Sequence, residues 1–170
     1  MTTTLPSRRA AGTALRADWR VWNLAALSAL TAYSAGMGWQ AQFVSYPLFA
    51  QVSAADFPAY HLAYNAAIPG VVIVPGFVSF VAGIAFYWTR PAEVSRTAGV
   101  LVAICGLGSI LSTVAWAIPM HDRLDRIGQD AATITSLLQA NALRTAFLTA
   151  GTLVLVGIVG KLLRGRRVRP

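Results

Sequence analysis

The sequence predicts an all-α membrane protein, an antiparallel four-transmembrane-helix bundle with a short amphipathic interfacial helix between spans one and two. Three observations point there. Of 170 residues, 56% are hydrophobic and only 12% charged, with a mean hydropathy of +0.57, a membrane-like composition at a length that suits one domain. Four stretches hold the roughly 20 apolar residues that a helix needs to cross a ~30 Å hydrocarbon core. Most of the 14 Lys and Arg residues flank those stretches at the two ends of the chain, namely Arg8, Arg9, Arg16, Arg20, Lys161, Arg164, Arg166, Arg167 and Arg169.

The elements follow in order. A basic tail, 1–20, leads into span one, 21–44, "VWNLAALSALTAYSAGMGWQAQFV". Its "AYSAG" would suit a cleaved signal peptide, but the apolar character runs on to Val44 behind a long basic leader, which favours an uncleaved helix. Span two covers 68–88 and carries Pro69 and Pro75. Pro75 removes a backbone donor and should kink the helix. Span three covers 97–119 and span four 143–163, within a membrane domain of 21–163 that ends in a second basic tail, 164–170. Each span should be helical, because lipid offers its backbone no hydrogen-bond partner. Small residues at helical spacing, Ala25, Ala29, Ala32 and Gly36 in span one and Cys105, Ser109 and Ser112 in span three, are the kind of stripe along which membrane helices approach.

Charge placement sets the expected direction. The loop between spans two and three carries Arg90 and Arg96, and both tails are basic, so these ends should be cytoplasmic in a plasma-membrane protein. The two other loops then face outward, with Arg123 and Arg126 against Asp56, Asp122, Asp125 and Asp130. The basic residues flank spans and are not interleaved with aromatics on one face, which argues against nucleic acid as a partner and for the lipid bilayer. A single cysteine, Cys105, excludes an intramolecular disulfide and a paired-thiol relay. No Asp or Glu lies within a span, which disfavours proton-coupled transport.

The outward loops hold the unusual residues. "YPLFAQVSAADFPAYHLAYN", 46–65, gathers Tyr46, Phe49, Phe57, Tyr60 and Tyr64 around His61. Helical from about Ala54, with Ser53 and Asp56 as a start signal, it aligns Phe57, Tyr60, His61, Tyr64 and Ile68 on one face. That face reads either as an aromatic girdle in the headgroups or as a pocket wall. A girdle has no need of an imidazole, whereas acid–base chemistry does. The second loop brings His121 after Pro119, then Asn141 and Arg144 at the entry to span four. Arg144 either snorkels to the interface or faces the bundle interior and a partner. Trp39, Gln40 and Gln42, in "GWQAQF" at the end of span one, lie at the same outer level. The candidate catalytic residues are therefore His61, His121, Asn141 and Arg144, and the candidate substrate-binding residues are Trp39, Gln42, Tyr60, Tyr64 and Trp116.

"IPMHDRLDRIG" and "LLQANALRTAFLTAG" resemble the anthrone oxygenase-like family of four-span integral membrane proteins, over about residues 36–160. The positions matching its motifs are Pro119, His121, Leu124, Asn141 and Arg144, with His121 where asparagine is expected and Ala140 where tryptophan is common. The resemblance implies an oxygenase-type oxidoreductase that acts, without a cofactor, on a lipophilic aromatic compound. In such a reaction a histidine base takes a proton from a phenol or activated C–H, and Arg144, Asn141 and Gln42 stabilise the oxyanion. The alternative is a non-catalytic membrane accessory protein whose outer polar ring binds another protein or lipid. A metal or haem site on His61 and His121 lacks the local spacing such sites show.

Overall fold

The computed structural model describes residues 8–167, with side chains described for 19–164, so the expected basic tails fall almost wholly outside the described side chains. Every regular element among the described residues is helical. The order is α1 (Arg8–Gln40), α2 (Tyr46–Phe49), α3 (Phe57–Ala67), α4 (Val74–Thr89), α5 (Arg96–Ser112), α6 (Ile118–Ile127) and α7 (Ala131–Arg167). Helix α1 packs against α4 and α7, and α5 packs against the same two helices.

Among the described residues, three helical segments are long and apolar enough to cross a membrane: Pro69–Thr89, Arg96–Ile127 and Ala131–Arg164. This corrects the expected four-span bundle to a three-span arrangement. The physical reason lies in α1, whose apolar run is diluted by Asn23, Ser28, Thr31, Ser34 and Gln40. Several of these face protein: Asn23 donates to Thr89 at 3.1 Å, and Ser79 donates to Thr31 at 3.2 Å between α4 and α1. The long first helix thus precedes all the spans, and the short helix α3 precedes the first span instead of lying between two. The resemblance to four-span anthrone oxygenase-like proteins is overturned by the same count.

Only 28%, 33% and 22% of the three spanning windows are buried within the protein, which leaves most of their apolar surface to lipid. Trp22 and Trp88, exposed at one end, suit an interfacial belt. That end also carries Arg20, Arg90, Arg96, Lys161 and Arg164, and the Arg20 guanidinium donates to the Arg90 carbonyl at 3.1 Å. Leu24, Leu27, Phe86, Val94, Val102, Leu155 and Ile158 form the core just inside it.

The expected packing stripe holds for one helix and not for the other. Ser109 and Ser112 of α5 are buried, but Ala25, Ala29, Ala32 and Gly36 of α1 are exposed. The face α1 buries is instead Leu24, Leu27, Thr31, Ser34, Ala35 and Gly38. The backbones of α4 and α5 come close, and a Cβ added to Gly106 would stand 2.6 Å from the Phe80 carbonyl oxygen.

Three wide π-helical turns shape the rest: Ala41–Ser45, Pro69–Ile73 and Thr113–Ala117. Each ends two residues before a proline, Pro47, Pro75 or Pro119. A proline ring collides with the carbonyl four residues back, and in every case that residue, Phe43, Val71 or Ala115, is the middle of the turn. The helix relieves the collision by widening. The expected kink at Pro75 takes this form.

Gly106→Val should push α4 and α5 apart and destabilise the protein by about 1–3 kcal/mol. Gly36→Ala, with nothing within 4 Å of the added Cβ, should stay within about 0.5 kcal/mol of wild type. Thermal unfolding in detergent distinguishes the two.

Candidate functional site

Span Arg96–Ile127 has 32 residues and span Ala131–Arg164 has 34. At about 1.5 Å per residue, each exceeds the ~30 Å hydrocarbon core by several turns. Their surplus, α6 and the start of α7, meets α2 and α3 at the end remote from the basic cluster. Tyr46, Phe49, Phe57, Ala117, Leu124, Ile134, Leu137 and Ala140 form a core there. Gln129 ties the layers together by donating to the carbonyls of Phe49 at 3.0 Å and Val52 at 2.6 Å.

Helix α3 starts at Phe57, later than expected, because Pro58 suits only a first turn. Ser53 and Asp56 bond to each other in the turn ahead of α3, the Asp56 N–H donating to the Ser53 hydroxyl at 3.1 Å and that hydroxyl donating to the Asp56 carboxylate at 2.6 Å. Asp56, not Ser53, is therefore the N-cap residue, and no acid lies in the first helical turn. Four residues apart on one face, Phe57 and His61 are both 0% exposed. The His61 ring stacks on Phe57 with centroids 5.4 Å apart and receives the edge of Phe49 at 5.3 Å. Tyr64 lies parallel to both His61 and His121, at 6.4 and 6.2 Å.

Both ring nitrogens of this buried imidazole are engaged. Nδ1 lies 2.6 Å from Asp125 Oδ1, and Nε2 lies 3.0 Å from His121 Nδ1. His121 and Asp125 are one turn apart on α6, so one helix face supplies both partners. The other nitrogen of His121, Nε2, is 3.2 Å from the Tyr46 hydroxyl. Asn65, one turn after His61, donates to both Asp125 carboxylate oxygens at 3.3 and 3.2 Å.

The proton positions follow from one constraint. Ionised Asp125 can only accept, so His61 Nδ1 carries a proton and, in the neutral ring, Nε2 accepts. His121 must then donate from Nδ1 and accept at Nε2 from Tyr46 O–H. The result is a directional wire, Tyr46 → His121 → His61 → Asp125. With His61 protonated on both nitrogens, the bond to Asp125 keeps its direction while the other two reverse, His61 donating to His121 and His121 to the Tyr46 oxygen. One end of the wire is wet, since the Asp125 side chain is 44% exposed, and the other end, Tyr46, is 3% exposed.

A second polar cluster lies between α1 and α7. Asn141, 0% exposed, donates to the Gly38 carbonyl at 3.0 Å and to Gln42 Oε1 at 2.7 Å. Its own Oδ1 accepts from an Arg144 guanidinium N–H. Arg144 is half-buried, and its charge acts on Tyr64 of α3. Burial, together with neighbouring Tyr46, pushes the Tyr64 phenol well above its usual range, against the opposing effect of Arg144.

The structure thus brings His61 and His121 into direct contact, with Tyr64 stacked over them, and groups Asn141, Arg144 and Gln42 alongside. Tyr60 sits at the rim, 38% exposed and 5.9 Å from Phe49. Trp116 is half-buried and donates to Ser136 at 2.8 Å, linking a π-helical turn to α7 and not to the imidazoles. Trp39 lies apart, 43% exposed, donating to Thr149 and stacked on Phe43. Tyr46, Asn65 and Asp125 are the participants sequence reasoning left out. Among the described residues, no three His, Cys, Asp or Glu side chains are grouped to hold a metal ion.

Helix α7 starts on Asp130, whose carboxylate accepts from the Thr133 hydroxyl and from the Thr133 N–H at 2.8 Å. These bonds hold the Asp130 carboxyl below its usual range, side-chain bond first. A depressed folded-state value contributes stability above the unfolded carboxyl value, which is lost as pH falls through the folded value. Acid titration of the melting temperature should therefore show a smaller acid-side loss in Asp130→Ala, which should also melt below wild type at neutral pH.

Compared with family models, curated proteins and solved structures, the chain matches none. The chain is an all-helical, multi-span membrane protein.

Proposed function

We propose that the wire is a cofactor-independent acid–base centre, with oxygenase-type activity on a lipophilic aromatic compound reaching the site from the bilayer. The observation that supports this reading is the unbroken hydrogen-bond chain from exposed Asp125 through two imidazoles to the Tyr46 phenol. A chain of this kind can take a proton at one end and release it to water at the other. In the reaction, a carbonyl-flanked CH2 loses a proton to Tyr46 or His121, and the carbanion adds to dioxygen. The peroxide anion recovers the proton from the wire, and the hydroperoxide loses water to leave C=O. One oxygen atom ends in the product and one in water. Charge placement, with Arg90, Arg96, Lys161 and Arg164 at one end, supports putting that basic end on the cytoplasmic side of the plasma membrane.

A second reading, a non-catalytic accessory protein, is favoured by the packing of His61 among aromatic rings, which would also suit a clasp holding α3 to α6.

Purified protein in nanodiscs should consume dioxygen with lipophilic aromatic compounds bearing a carbonyl-flanked CH2, yielding the ketone or quinone. His61→Gln, His121→Gln and Asp125→Asn should each lower that rate by about 10²-fold or more, the range of positioned acid–base catalysis. Folded wild-type protein that consumes no oxygen across the panel would transfer the case to the accessory reading.

A further inference from the structure

Arg144 raises a question that the wire does not answer. Its guanidinium has five N–H donors, and one goes to Asn141 Oδ1. Among the described residues it has no other hydrogen-bond acceptor and no carboxylate within 4.0 Å. A half-buried cation at the end of a membrane helix normally finds an anionic partner or turns out to water. Arg144 has no anionic partner among the described residues, and Asn141 holds its guanidinium. The Asn141 amide cannot flip, since its NH2 faces two acceptors, the Gly38 carbonyl and Gln42 Oε1. Its oxygen must therefore face the guanidinium.

The immediate neighbours leave the positive charge intact. Asn141 and Gln42 are neutral, and Tyr64 is a half-buried phenol kept in its protonated form. The acid of the site, Asp125, is already engaged by His61 and Asn65. The cluster is rich in donors and short of an anion.

We infer that Arg144, held by Asn141 and Gln42, binds an anionic oxygen group, carboxylate or phenolate, on a lipophilic ligand. A planar guanidinium fork suits such oxygens in a two-point contact. As a statement of substrate class this rests on the acid–base reading, because an acid group held at Arg144 would present the adjoining carbon to His121 and Tyr46. As a binding site it stands without that reading. The same anionic chemistry could come from a phospholipid headgroup, so the source has to be tested.

The test titrates 2-naphthoate, its neutral counterpart 2-naphthamide, and dodecyl phosphate into full-length protein in phosphatidylcholine nanodiscs. Naphthoate should bind wild type about tenfold or more tighter than naphthamide, a ratio worth about 1.4 kcal/mol. Arg144→Gln should remove that preference without changing naphthamide binding. Arg144→Lys, which keeps the charge, should retain part of it. Equal naphthoate affinity in wild type and Arg144→Gln overturns the inference. So does dodecyl phosphate displacing naphthoate at lower concentration than naphthoate itself requires, which would assign the site to lipid headgroups. Selective naphthoate binding by a protein that oxidises nothing would support the anion site and sink the acid–base reading alone.

Discussion

A buried imidazole must find a partner for each ring nitrogen, and much of this end of the molecule follows from that requirement at His61. Leaving one nitrogen unpaired in a site with no access to water costs about 1–3 kcal/mol. The chain meets the demand with one helix, α6, whose His121 and Asp125 are spaced by a single turn. Phe49 and Phe57 exclude solvent from the ring, and Asn65 holds the carboxylate that the ring addresses. Packing and hydrogen bonding therefore select the same arrangement, in which α3 can dock on α6 in one register only.

Prolines supply the second half of that register. Each proline-driven π-helical turn accommodates one residue beyond regular helical winding, which shifts the following side chains by about 100° around the axis. Tyr46 follows directly on the turn Ala41–Ser45, and His121 lies one helical turn after Thr113–Ala117. These residues meet at 3.2 Å although 75 positions separate them. The two prolines thus aim the two ends of one hydrogen bond.

The sequence was informative where chemistry is local. The helix of His61, the shared face of Phe57, His61 and Tyr64, and the grouping of polar residues at one end all follow from spacing. It misled where partners are distant. Val21–Val44 reads as a span by its length and its many apolar residues, whereas Asn23, Ser28, Thr31, Ser34 and Gln40 dilute its mean hydropathy below that of the three spans. The stripe Ala25, Ala29, Ala32 and Gly36 is regular yet faces outward, since which side of α1 is buried depends on α4 and α7. Asp125 could have been picked out, being one turn from His121. Tyr46 could not, because its role rests on a π-helical turn whose effect appears only once Pro47 and Pro119 are placed together in space.

The two polar clusters gain meaning from their relative order. Asp125 puts a negative charge at the wet end of the wire, and Arg144 puts a positive charge beside Tyr64 at the dry end. Between them lie two rings that can each carry a proton on either nitrogen. The field between those charges points along the wire and drives positive charge from Tyr46 toward Asp125. A ligand anion seated on Arg144 would cancel much of that field and ease the proton's return. Binding and proton movement would then be coupled through charge alone, with no moving part, because the Asn141 amide fixes one pole and the Asn65 amide fixes the other.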